Sequence, residues 1–175
     1  MVVGKPVKTP RVVNNLSSKI LFELPLKETL EKALRPNPEK GVVKGQKVGI
    51  DRLRTFAVHG CKCVRCGREG KRIIVTQDNG GGIHADLYTL SSKKNLILMN
   101  RDHILPKSKG GENSIWNYQP MCQPCNTKKG AQDTAGDKKL LKFRKRWSKW
   151  FNLIRPFTRG HPLTYAVTKM IAVIT

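Results

Sequence analysis

Residues 102–126 read DHILPKSKGGENSIWNYQPMCQPCN, and this stretch is the most informative part of the chain. It ends with the pair Cys122 and Cys125, and a second pair, Cys63 and Cys66, lies upstream. Thiolates two residues apart in a tight turn can share one tetrahedral ion, and two such pairs complete a four-cysteine zinc site. The sequence therefore predicts structural zinc, with free or disulfide-linked cysteines as the alternative.

The two cysteine pairs lie far apart in the chain. The 55 residues between Cys66 and Cys122 exceed the loop of a small zinc finger, so we expect the ion to hold a hairpin-containing insertion in place. Gly67 suits the turn after the first pair, because glycine adopts positive φ freely. The fifth cysteine, Cys61, matches this spacing less well than Cys63 does. Four thiolates leave no position for water, so this zinc should be structural.

The charge of the chain points to a polyanionic partner. Its 175 residues contain 34 Lys and Arg against 12 Asp and Glu, a formal net charge of +22. Such an excess attracts polyanions and makes their association fast and salt-sensitive. Nucleic acid is the leading partner, and an anionic membrane is the main competitor.

Targeting and membrane signals are weak. The N-terminus has lysines and prolines in place of the apolar segment of a secretory signal. The apolar stretch Leu163–Thr175 contains Lys169 and is too short to cross a bilayer. We expect it to pack on the core as a terminal strand or helix. The expectation is a soluble, cytoplasmic protein without a membrane-spanning segment.

Hydrophobic periodicity and turn signals predict a mixed α+β fold. The segment Asp78–Gly82 should be the turn of a β-hairpin, and Pro120 should close the last strand. Strands are predicted at Arg72–Thr76, Ile83–Leu90, Asn95–Asn100 and Ile115–Gln119. Helices are predicted at Leu26–Leu34, Arg52–Val58, Met121–Ala131 and Asp137–Ile154.

The chain divides into three predicted regions: a basic arm (1–50), a core with both cysteine pairs (51–136) and a basic amphipathic helix with a tail (137–175). An apolar stripe at helical spacing should dock the last helix on the core. The stripe consists of Leu140, Phe143, Trp147, Trp150 or Phe151, and Ile154. On its other sides, Arg144, Lys145 and Lys149 are expected to follow phosphates, although solvated charge is the simpler interpretation.

Residues 60–130 closely resemble the HNH nuclease family. The matching features are Asp102-His103, the loop with Pro106 and Gly110-Gly111, Asn117, and Cys122-x-x-Cys125-Asn126 followed by Lys128. The resemblance implies a small ββα-metal core in which a hairpin and a helix grip an ion. The last motif position holds Asn126 in place of the name-giving histidine, which makes this an H-N-N variant.

The residue types suit phosphodiester hydrolysis. His103 is the candidate general base, because histidine exchanges protons near neutral pH. Asp102 and Asn126 offer the oxygen donors that Mg²⁺ or Mn²⁺ prefers. The resemblance implies that Asn117 bonds the loop backbone and orients His103. Four lysines near the scissile phosphate are candidate DNA contacts: Lys107, Lys109, Lys128 and Lys129.

The favoured function is a divalent-metal-dependent HNH endonuclease that cuts double-stranded DNA, with zinc as a structural ion. The rival from another class is a nucleic-acid-binding protein that zinc holds together and that does not cleave. Small size and basic flanks loosely suit a phage or mobile-element enzyme. Cleavage specificity, the number of strands cut and the oligomeric state stay open at this level.

Overall fold

The computed structural model describes residues 18–34, 41–43, 46–48, 51–133 and 137–146. The described strands are β1 (Lys19–Leu24), β2 (Gly41–Val43), β3 (Gln46–Val48), β4 (Arg72–Gln77), β5 (Ile83–Leu90), β6 (Leu96–His103) and β7 (Tyr118–Cys122). The described helices are α1 (Leu26–Ala33), α2 (Asp51–His59), α3 (Gln123–Lys129) and residues 137–146. Five strands form one antiparallel sheet in the order β1-β4-β5-β6-β7, and β2 pairs with β3 separately.

The centre of the sheet is buried on both faces. On one face, Ile73 and Leu87 pack into the main core, which includes Phe56 of α2. On the other face, Ile74 and Tyr88 pack in a second, smaller cluster. This two-sided burial explains why the β-branched run of β4 shows no polar alternation. The sheet is therefore the rigid base from which β6 and β7 carry the motif of residues 102–126.

Several predicted elements are confirmed. The strands β4 and β5 pair as a hairpin, and Asp78 closes its turn by accepting bonds from the N–H groups of Gly80 and Gly82 at 2.9 and 2.7 Å. The helices α1 and α2 form where hydrophobic spacing predicts them. No helix in the described ranges has the length and apolar character needed to cross a membrane.

The strand β1 is absent from the sequence prediction, which interprets the first fifty residues as an arm with a single helix. It forms an edge of the sheet and pairs with β4. The Glu23 carboxylate accepts two hydrogen bonds from Nε and Nη2 of Arg72 at 3.0 and 2.6 Å, which join the two strands. Residues 1–17 lie outside the described part of the chain.

The boundaries around β7 also differ from the prediction. Residues Ile115–Asn117 form a 3-10 turn, and the strand begins only at Tyr118. Pro120 lies inside the strand and does not close it. A proline is tolerated there because β7 is an edge strand of the sheet, so no ladder on its outer side needs an N–H from this residue.

The described part of the last predicted helix, residues 137–146, is helical, but its inward face is not the predicted one. Phe143 of the predicted apolar stripe is 39% exposed, whereas Leu141 and Arg144 are buried. The rest of the stripe, Trp147 to Ile154, and the apolar segment Leu163–Thr175 lie outside the described residues.

Candidate active site and metal centre

The first cysteine pair lies in a tight turn whose geometry suits metal binding. The N–H of Gly67 bonds the Cys63 carbonyl at 2.9 Å, and Gly67 has a φ of +70°, which glycine adopts without strain. The N–H of Val64 bonds the carbonyl of Pro120 at 3.1 Å, so the turn pairs with β7. This pairing brings the turn to the end of β7, where the second cysteine pair begins.

Four sulfur atoms meet there. The Sγ atoms of Cys63, Cys66, Cys122 and Cys125 all lie within 4.8 Å of one another, and those of Cys66 and Cys122 are 3.6 Å apart. Zinc–sulfur bonds of about 2.3 Å in a tetrahedron need sulfur atoms roughly this close. Arg68 Nη1 lies 3.8 Å from the Cys122 sulfur, where a positive charge offsets thiolate charge. The four-cysteine cluster is therefore consistent with zinc.

Cys61 is not part of the cluster. Burial, and then the nearby Glu69 carboxylate, raises the pKa of the Cys61 thiol to about 11. The closer spacing of Cys63 to Cys66 therefore predicted the pair that joins the cluster.

The β6–β7 ladder sorts the motif residues onto two faces. Asp102 is paired with Gln119 and His103 with Tyr118. Residues directly opposite in an antiparallel pair share a face, and neighbours along a strand alternate. Asp102 therefore lies on one face with Gln119, while His103 lies on the other with Tyr118.

On the first face, Asp102 belongs to a buried polar cluster. Its Oδ2 accepts hydrogen bonds from Gln119 Nε2 at 2.7 Å and from Lys129 Nζ at 2.6 Å. The side chains of Lys129 and Asp102 are only 1% and 8% exposed. Lys129 Nζ also donates to the backbone carbonyl of His103, so one cation ties α3 to the end of β6.

The same face offers oxygen donors for a divalent cation. Among the described residues, no hydrogen bond reaches Asp102 Oδ1, so one carboxylate oxygen keeps its lone pairs. Asn126 is partly buried and lies three residues before Lys129, hence on the helix face that Lys129 directs towards β6. A carboxylate oxygen and an amide oxygen form a donor set that suits Mg²⁺ or Mn²⁺.

His103 is partly exposed at the end of β6. Its Nε2 lies 3.0 Å from Oδ1 of Asn113, which is itself exposed. The edge of the imidazole meets the Tyr118 ring at a centroid distance of 4.9 Å and an angle of 77°. The ring is thus supported from one side and open to solvent on the other.

Asn117 fixes the loop that follows His103. Its Oδ1 accepts from the N–H of Leu105 at 2.9 Å, and its Nδ2 donates to the carbonyls of Leu105 and Glu112 at 3.1 and 2.9 Å. Asn117 is 2% exposed, so no water competes for these bonds. These are the loop-backbone bonds that the resemblance implied for this residue.

The loop itself depends on a glycine. Gly111 packs so closely on the Leu105 backbone that a Cβ would collide with its carbonyl oxygen. The N–H of Gly111 bonds the Pro106 carbonyl at 3.0 Å, which closes a compact turn. The Gly110-Gly111 pair therefore lets the loop fold back onto the residues that Asn117 holds.

Two side chains from outside the motif, one partly buried and one buried, hold the segment around Asn117. His59 of α2 donates from Nε2 to the Ile115 carbonyl at 2.7 Å, and Arg144 Nη1 donates to the Tyr118 carbonyl at 2.8 Å. Burial, with the nearby charge of Arg144, lowers the pKa of His59 to about 4. His59 is therefore neutral at physiological pH and serves as a donor in the interior.

The predicted phosphate contacts are not all at the surface. Lys129 and Arg144 are buried and bonded inside the protein, which corrects their assignment as DNA-facing residues. Burial lowers the pKa of Arg144 to about 10, so it stays charged at neutral pH. Lys109 is exposed but forms an ion pair with Asp133.

The other predicted contacts keep a surface position. Lys107 and Lys128 are exposed. Lys145 is also exposed, with its Nζ 3.8 Å from Glu112 Oε1. Lys149 lies outside the described residues. The third residue after Asn126 is the buried Lys129, and the exposed Lys128 precedes it.

Sequence reasoning missed Gln119, Asn113 and His59, whose side chains contact the motif residues or their backbone. Gln119 had a detectable signal, because a strand opposite Asp102 puts one residue of β7 beside that carboxylate. Asn113 and His59 act through loop and helix positions that only the tertiary structure sets.

Comparison with known families agrees with this geometry. Residues 91–140 match the family model described as HNH endonuclease. No curated protein and no solved structure matches the chain. The matched residues include Asp102-His103, Asn117 and the second cysteine pair, and the structure adds the first pair to complete the cluster. This part of the chain is therefore similar to the HNH endonuclease family, and the chain carries a four-cysteine cluster that could bind a metal.

Proposed function

We propose that this protein is a divalent-metal-dependent endonuclease that hydrolyses phosphodiester bonds in double-stranded DNA. One observation carries the proposal most directly: Asn117 makes three buried hydrogen bonds to the loop that starts after His103. A surface histidine without a catalytic role would not require a loop fixed in this way. Catalysis requires its base in a defined position, and this bonding supplies one.

His103 acts as the general base that takes a proton from the attacking water. In the neutral ring, an Nε2–H that donates to Asn113 Oδ1 leaves the lone pair on Nδ1. The contact with Tyr118 limits rotation of the ring. Asn113 and Tyr118 are thus positioning residues for the base.

Asp102 and Asn126 are the residues that would hold Mg²⁺ or Mn²⁺. Such an ion, when bound, offsets negative charge on the phosphate and on the leaving oxygen. Gln119 and Lys129 occupy Asp102 Oδ2, so the carboxylate presents Oδ1 in a fixed orientation. Donors fixed before binding avoid the entropy cost of ordering them.

The four-cysteine cluster has a separate role. Zinc bound there would fasten the turn around Cys63 to the junction of β7 and α3, where Cys122 and Cys125 lie. Since four thiolates complete the tetrahedron, that ion would have no open position for water. Its role is to set the position of α3, which carries Asn126 and Lys129.

DNA is the proposed substrate because of charge. The formal net charge is +22, and Lys107, Lys128 and Lys145 keep exposed ammonium groups. Binding that neutralises several phosphates depends steeply on salt. We expect the affinity for duplex DNA to fall by orders of magnitude between roughly 50 and 200 mM salt if about six phosphates are contacted.

A second function has one specific observation in its favour. Lys129 already neutralises Asp102, so the buried carboxylate does not need a divalent cation for its charge balance. In a zinc-stabilised protein that binds nucleic acid without cutting it, the Lys129–Asp102 ion pair could remain without a divalent cation. This alternative makes the opposite prediction in the cleavage test.

The test compares the cleavage of supercoiled plasmid by three proteins: the wild type, His103→Ala and His84→Ala. His84 is a matched control, because it bonds Asp78 at the β4–β5 turn and has no role in the proposed site. We expect wild type and His84→Ala to cut in Mg²⁺ and not in EDTA, and His103→Ala to bind without cutting. Binding without cleavage by the wild type supports the alternative function.

A further inference from the structure

An exposed arginine lies beside the proposed general base. The Arg101 guanidinium carbon lies 4.5 Å from the centroid of the Tyr118 ring, and this ring in turn meets the His103 imidazole at 4.9 Å. Tyr118 is 7% exposed, and Arg144 bonds its backbone carbonyl. The aromatic platform is therefore rigid, and the guanidinium rests on a fixed surface.

The strand register puts Arg101 on the face of the hairpin that carries His103. The two residues are two positions apart in β6, and side chains at that spacing point the same way. Asp102, between them, points to the opposite face and into the buried cluster with Lys129. Arg101 and His103 thus share the face that is open to solvent.

Arg101 also has no acidic partner in the described part of the chain, whereas three other cations near the site are engaged. Lys129 is paired with Asp102, and Lys109 with Asp133. Arg144 is buried against the Tyr118 carbonyl. An exposed guanidinium that is held in place, next to a catalytic base, without a neutralising carboxylate, favours an anionic ligand.

We propose that Arg101 is a phosphate-binding residue that holds the nucleic-acid backbone next to the scissile phosphodiester, an inference that rests on the proposed function. A guanidinium whose carbon lies over the Tyr118 ring can still direct N–H groups to solvent, and its planar fork matches two phosphate oxygens at once. Only the Tyr118 ring separates Arg101 from His103, so a strand attacked beside His103 would bring a neighbouring phosphate near the guanidinium.

The test measures binding without cleavage, by fluorescence anisotropy of a labelled duplex in EDTA at several salt concentrations. Loss of a charge-assisted bidentate contact should raise the Kd of Arg101→Gln roughly 10- to 100-fold. The logarithm of the association constant falls with the logarithm of the salt concentration, and the magnitude of this slope should decrease by about 1 in Arg101→Gln. Arg101→Lys keeps the charge but not the planar fork, so its Kd should lie between those of wild type and Arg101→Gln.

Two further variants separate this site from general charge effects. Arg54→Gln removes the same charge from an exposed position of α2 and should leave Kd within about twofold of wild type. Tyr118→Leu removes the platform without changing net charge and should weaken binding, whereas Tyr118→Phe keeps the ring and should not. The thermal midpoint of each variant is measured alongside.

The outcomes distinguish the two proposals. If wild type binds and cuts DNA while Arg101→Gln binds no worse than Arg54→Gln, the Arg101 site is wrong and the nuclease proposal stands. A wild-type protein that neither binds nor cuts DNA overturns both. A Kd loss confined to Arg101→Gln and Tyr118→Leu, with a graded effect in Arg101→Lys, supports the phosphate site.

Discussion

Lys129 Nζ lies 2.6 Å from Asp102 Oδ2, and both side chains are almost completely buried. The pair connects the last turn of α3 to the end of β6. The carboxylate proposed to hold a divalent cation is therefore already fixed by the protein. An ion pair this deep in the structure is costly to break, because removing one partner leaves the other charged and unpaired.

Replacing Lys129 should destabilise the protein strongly. We expect Lys129→Met to lower the free energy of unfolding by about 3–5 kcal/mol, because the Asp102 charge is left buried without a partner. Urea denaturation measures this loss. Lys128→Met is the control, since Lys128 is exposed and its loss should cost at most about 0.5 kcal/mol. Equal stability of the two variants would contradict the role assigned to Lys129.

The loop bonds of Asn117 should affect stability and activity together. Asn117→Ala leaves the N–H of Leu105 and the carbonyls of Leu105 and Glu112 without these partners, so we expect a stability loss of about 1–3 kcal/mol. Cleavage should fall at least about tenfold, because a loosened loop no longer positions His103. Asn117→Asp keeps the acceptor and loses the donors, so both losses should be intermediate. Wild-type cleavage by Asn117→Ala would argue against positioning.

Elemental analysis should find zinc at the four-cysteine cluster. We expect one zinc per chain in the wild type and in His103→Ala, and a loss of zinc in Cys122→Ser, which removes a buried thiolate ligand. Cys61→Ser is the matched control and should retain the metal. Zinc loss in Cys61→Ser with retention in Cys122→Ser would show that the ligand set is wrong.

The partly buried His59 should make stability depend on pH. Its pKa is lowered from 6.5 to about 4, first by burial and then by Arg144. As pH falls from 6.5 towards 4, the unfolded state takes up a proton that the folded state does not, so the free energy of unfolding should fall by about 3 kcal/mol. His59→Gln, which does not titrate, should lose less stability over this range than wild type. His84→Gln should behave like wild type.

Local patterns in the sequence were sufficient for some parts of the structure. The cysteine ligands follow from two-residue spacing within turns, and the β4–β5 hairpin follows from a glycine-rich turn between β-branched strands. In each case, the determining residues are neighbours in the chain.

Other parts depend on packing between distant segments. The strand β1 needs β4 as its partner, and the prolines and lysines around it obscure its short apolar pattern. The inward face of the 137–146 helix is set by the fit of Leu141 and Arg144 against the core, which helical periodicity alone does not determine. The two faces of the β6–β7 hairpin likewise depend on the strand register, because a shift of one residue would move each side chain of the shifted strand to the opposite face.

The central claim is that His103 is the base that activates water, and chemical rescue tests it most directly. His103→Gly should lose about 10²- to 10⁴-fold in cleavage rate of a labelled duplex in Mg²⁺, the usual contribution of a general base. Added imidazole should restore much of that rate in His103→Gly and none in Asn117→Ala, whose base is still present. Wild-type cleavage by His103→Gly without imidazole would contradict the claim.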